Sequence, residues 1–89
     1  MKLKIYTGAE VRDLRKKLYL NQADFWSHFQ TTQSGGSRYE SGREIPLPVQ
    51  ALLNIAFGSE TKSSAIIDDL RKLGRPKKRA KTTKASAEE

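Results

Sequence analysis

The chain has 89 residues, with 17 lysines and arginines against 10 aspartates and glutamates, a single histidine and no cysteine. That length holds one small domain, which buries only about 60% of the surface its unfolded chain exposes. The missing cysteines exclude a disulfide framework and thiolate metal sites. His28 has no obvious partner ligand, so neither a metal nor a cofactor is expected.

The segment Lys2 to Tyr6 alternates polar and apolar residues and reads as a short strand or an ordered arm, with a dimer edge as one use for it. Thr7 and Glu10 have capping-box spacing and open a first helix, in which Val11, Leu14 and Leu18 form the buried stripe. Arg12, Arg15, Lys16 and Lys17 then face solvent or a phosphate backbone. Asn21 caps a second helix over about Gln22 to Phe29, with Phe25, Trp26 and Phe29 on one face. After a polar turn at Gln30 and Thr31, Thr32 caps a third helix running from about Gln33 to Ser41. Its exposed side chains are Gln33, Ser34, Ser37 and Arg38. Arg43 to Leu47 is a loop. Pro48 suits the first position of a fourth helix, whose apolar face is Val49, Leu52, Leu53 and Ala56 and which stops at Gly58. A fifth helix starts between Ser59 and Ser63 and ends at Leu73, with Gly74 as the stop and Ile66, Ile67, Leu70 and Leu73 as its apolar residues.

Two short helices joined by a tight polar turn, the second exposing Gln, Ser and Arg, have the layout of a helix-turn-helix reader of DNA. The chain resembles the Cro and phage-repressor (XRE) helix-turn-helix family. The matching residues are Leu14-Arg15, Leu20-Asn21-Gln22, Phe25, Thr32-Gln33-Ser34, Ser37-Arg38-Tyr39-Glu40, Gly42, Pro46 or Pro48, and Leu52 through Ala56. The resemblance implies an all-α, lambda-repressor-like domain of about five short helices over residues 1–74. It also implies that the third helix enters the major groove, with Gln33, Ser34, Ser37 and Arg38 at base edges and Gln22, Thr32, Arg43 and Arg15 at the backbone. Where the family carries Ala, Gly and Val or Ile, this chain has Trp26, Gln30 and Gly36. A very large residue packed against no side chain conserves volume, so Trp26 is read as core. Tyr39 is read as core as well.

Charge divides the chain: residues 1–70 hold 9 basic and 8 acidic side chains, and residues 71–89 hold 8 basic and 2 acidic. Residues 75–89 are read as a basic, disordered tail. Leu73 to Arg79 resembles the Gly-Arg-Pro core of an AT-hook, and Arg75, Lys77, Lys78 and Arg79 are its DNA-contacting candidates. The expected function is a cytoplasmic, nucleoid-associated regulator of transcription, most simply a repressor that binds an inverted repeat in double-stranded DNA as a homodimer. The alternatives are an antitoxin with a toxin partner and a non-specific nucleoid or RNA-binding protein driven by the tail. An enzyme is the least expected class, and no apolar run is long enough for a membrane span.

Overall fold

The computed structural model describes residues 2–75. The tail candidates Lys77, Lys78 and Arg79, the disorder expected of the tail and the AT-hook reading beyond Arg75 lie outside the described residues. The described part is helical: α1 (Gly8–Lys17), α2 (Gln22–Ser27), α3 (Gln33–Glu40), α4 (Leu47–Phe57) and α5 (Glu60–Gly74).

Local chemistry explains the boundaries. Thr7 accepts from the Glu10 amide while the Glu10 carboxylate accepts from the Thr7 amide, so the capping box is closed in both directions. Asn21, Thr32 and Ser59 each accept a backbone amide three residues on, opening α2, α3 and α5. The fourth helix begins one residue earlier than Pro48 predicts. Pro46 is its N-cap and Pro48 sits inside the first turn, where a missing N–H costs nothing. The second helix ends at Ser27, two residues short of the expected Phe29. Gln30 then adopts φ +56°, a left-handed turn that glycine adopts most readily.

The core is built from Tyr6, Val11, Phe25, Trp26, Phe29, Ile45 and Leu53, with Leu14, Leu20, Tyr39, Val49 and Phe57 packed around it. Phe25 stands edge-on to Trp26 at 5.2 Å and stacks on Phe57 at 6.2 Å. Several expected core positions lie outside it. Leu18 is exposed because the chain leaves α1 there and turns through the left-handed Tyr19. Leu52 and Ala56 are exposed on α4, and Ile66 is the one apolar residue of α5 that is buried.

Residues Lys2 to Tyr6 form an extended arm and not a strand. In place of a neighbouring strand, the arm pairs with two side-chain amides of α4. Gln50 accepts from the Tyr6 amide at 2.8 Å and donates to the Tyr6 carbonyl at 2.9 Å. One helical turn on, Asn54 does the same for Lys4 at 2.9 and 2.8 Å. Both amides are buried, which is tolerable because each is bonded at both ends. Gln50→Leu leaves a buried N–H and C=O of Tyr6 unpaired and should cost about 1–3 kcal/mol in urea melts. A loss within a few tenths would mean that apolar contact alone holds the arm.

Candidate nucleic-acid interface

The position of α3 is fixed from its inner face. Gly36 is buried on that face, and a Cβ there would overlap the indole Cδ1, Cγ and Nε1 of Trp26. Trp26 is fully buried in the space that a side chain on Gly36 would need, as the volume argument predicts. Tyr39 lies against the same indole, with ring centroids 5.5 Å apart. At the other end of α3, a Cβ on Gly8 would overlap the Tyr39 carbonyl, so the start of α1 touches the α3 backbone directly.

Glu40, the last residue of α3, ties three elements together. Arg15 of α1 grips it through Nε at 2.8 Å and Nη2 at 2.9 Å, a bidentate pair. From α2 the Trp26 indole N–H donates at 2.9 Å and the Gln22 amide at 3.1 Å. The Glu40 side chain is 4% exposed. Burial pushes its carboxyl up, but the hydrogen bonds from Arg15, Trp26 and Gln22 and the charge of Arg15 outweigh burial and hold it below the usual carboxylate range. Hydrogen bonding to Glu40 raises Arg15 in turn, against its own burial.

The outer face of α3 is open. Gln33, Ser34, Ser37 and Arg38 line one shallow concavity, in which Gln33, Ser34 and Arg38 are exposed and Ser37 is half-buried. Among the described residues no carboxylate pairs with Arg38. Thr32 stands at the helix start with its hydroxyl accepting from the Gly35 amide. Arg43 is exposed just past the C-terminus of α3, where its amide donates to the Arg38 carbonyl.

The remaining candidates divide. Gln22 is half-buried and anchored on Glu40, which leaves its second amide proton and its carbonyl oxygen unspent. Arg15 commits three of its five N–H donors inside the fold, two to Glu40 and one from Nη1 to the Leu20 carbonyl at 2.9 Å, and its side chain is 11% exposed. Arg75 caps the end of α5 and pairs with Asp68 at 3.3 Å. The sequence pattern marks Glu40 as a family match and assigns it no role. The available signal was that a buried Trp26 needs an acceptor for its N–H and that a helical Arg15 of the core side needs a carboxylate.

A capped α2, a left-handed turn and an α3 held from within while its outer face stays open make a helix-turn-helix. No curated protein and no solved structure matches the chain at a significant level. A family model described as an RsaL-like HTH domain matches residues 12–56, from the middle of α1 almost to the end of α4. The chain belongs to the RsaL-like helix-turn-helix family.

Proposed function

We propose that this helix-turn-helix protein is a sequence-specific transcriptional repressor of the Cro type, which binds an inverted repeat as a homodimer in the cytoplasm. The observation that carries the reading is the outer face of α3. Gln33, Ser34, Ser37 and Arg38 line the outer side of the helix with no side-chain hydrogen bond or ion pair among the described residues, and its inner face is locked. Gln33 and Arg38 are the two that carry paired groups, suited to adenine and guanine edges in the major groove. Ser34 and Ser37 are short enough for methyl contacts and water bridges. Gln22, Thr32 and Arg43 flank this face and take phosphates, Gln22 being aimed by Glu40. We assign Arg15 to holding α3 in place, since all three of its guanidinium nitrogens bond within the domain, two of them to Glu40. One domain of this size reads one half-site, and two copies read half-sites about 34 Å apart. The excess of basic residues after Arg71 adds sequence-independent attraction to phosphate.

The test is selection of bound sequences from a random DNA pool, followed by Gln33→Ala on the preferred site. That substitution should cost about 1–3 kcal/mol and relax preference at one base pair per half-site. Gln22→Ala should instead weaken preferred and random DNA alike. Equal weakening on all sequences by Gln33→Ala would reassign Gln33 to phosphate.

A further inference from the structure

Among the described residues, two that are not glycine stand in the left-handed region, Gln30 and Tyr19. Gln30 offsets the strain locally, its side-chain amide donating to the Ser27 carbonyl at 3.4 Å. Tyr19 has no such partner. At φ +58° it fills the position just past α1 that glycine usually takes, with its amide donating to the Lys16 carbonyl at 3.0 Å and the Leu20 amide to the Arg15 carbonyl at 3.3 Å. A bulky side chain is strained there and glycine is not. Yet the fold draws nothing from the ring, which is 95% exposed and makes no hydrogen bond, ring contact or cation contact among the described residues.

The backbone beneath the ring is nevertheless held firmly. Arg15 bonds the Leu20 carbonyl through Nη1 at 2.9 Å while Nε and Nη2 grip Glu40, and Glu40 also accepts from Gln22. The corner that carries Tyr19 and the start of α2 that carries Gln22 therefore hang from one carboxylate at the end of α3. Lys16 and Lys17, just before this corner, are exposed and form no ion pair among the described residues. We propose that Tyr19 is a further contact to duplex DNA, its phenol O–H donating to a backbone phosphate beside the one that Gln22 takes. Three residues separate them along the chain, a span of at most about 10 Å, so both reach the same stretch of backbone. Tyrosine is a regular phosphate donor, and the two free lysines favour an anion at this corner. Strain held at an exposed residue that the fold does not use points to a ligand. The inference rests on DNA lying against α2 and α3, and it widens that interface to the corner before α2.

The full chain and the variants Tyr19→Gly and Tyr19→Phe test it, by urea melts and by fluorescence anisotropy with the preferred and a random duplex over a range of salt. Tyr19→Gly should raise the urea midpoint by relieving the left-handed strain, and yet weaken binding to both duplexes about tenfold. Tyr19→Phe keeps the ring and lacks only the hydroxyl, so it should bind as weakly as Tyr19→Gly. Both should keep the salt slope of the parent chain, because a neutral phenol displaces no counterion. Bound duplex should also protect Tyr19 from nitration by tetranitromethane. Parent-level binding by either variant, a shallower salt slope or unchanged nitration on DNA would overturn the contact. So would a lower urea midpoint for Tyr19→Gly, which would give the ring a place in the fold. The random duplex decides the role of Tyr19 even where selection yields no preferred sequence, so the sequence-specific reading can fail by itself. If the parent chain binds no duplex, both fall.

Discussion

Glu40→Ala should lower the stability of the domain by about 3–5 kcal/mol, the usual cost of removing one partner from a buried ion pair. The mechanism is specific to this site. The substitution leaves the Arg15 guanidinium inside the fold with no counter-charge and strips the Trp26 N–H and the Gln22 amide of their acceptor. A domain of this size has a total stability of only about 5–10 kcal/mol, so much of the chain would be unfolded at physiological temperature. Urea melts measure it, and a loss below about 1 kcal/mol would show that the network is solvated. The same network has an acid limit. The carboxyl of Glu40 titrates lower in the folded chain than in the unfolded one, so its contribution is complete above the ordinary glutamate range. It fades as the pH falls through that range toward the folded value. Exposed Glu10, lowered by the Thr7 amide, runs in the same direction. Glu40→Gln should therefore flatten the acid limb of the stability profile while leaving the Glu10 part in place.

Trp26→Ala should cost about 3–5 kcal/mol, since it empties the largest fully buried side chain and also removes a donor to Glu40. Gly36→Val should cost about 1–3 kcal/mol or more by driving a branched side chain into the indole. The informative variant is the pair. With the indole gone, the valine enters vacated space, and the double variant should recover a substantial part of the summed loss. Recovery stays incomplete because nothing replaces the indole N–H. Strictly additive losses would show that the two positions do not share the site.

Both effects trace back to features of unequal legibility. The pairing of Trp26 with Gly36 was readable because volume is nearly conserved between packed helices, so one departure from a family pattern implies the other. The helix starts were readable because Thr7, Asn21, Thr32 and Ser59 act on amides three residues away. Glu40 was opaque, its partners lying 14, 18 and 25 residues distant, a relation that no local periodicity encodes. Leu18, Leu70 and Leu73 keep helical spacing yet escape burial, because periodicity names the face of a helix and not how far the body beneath it extends. Gln50 and Asn54 carried a signal that went unread. Two amides one turn apart in an otherwise apolar helix have to be bonded to something inside, and the extended arm offers them backbone groups.

That docking has a consequence for the order of assembly. Lys4 and Asn54 are 50 residues apart, and Tyr6 and Gln50 are 44 apart, so docking the arm closes two long loops and needs α4 in place. On a ribosome the arm emerges before α4 and has no partner there until α4 has been synthesised and has left the exit tunnel. Until then, four backbone groups of the arm and two side-chain amides of α4 are satisfied by water, and docking exchanges those waters for protein partners.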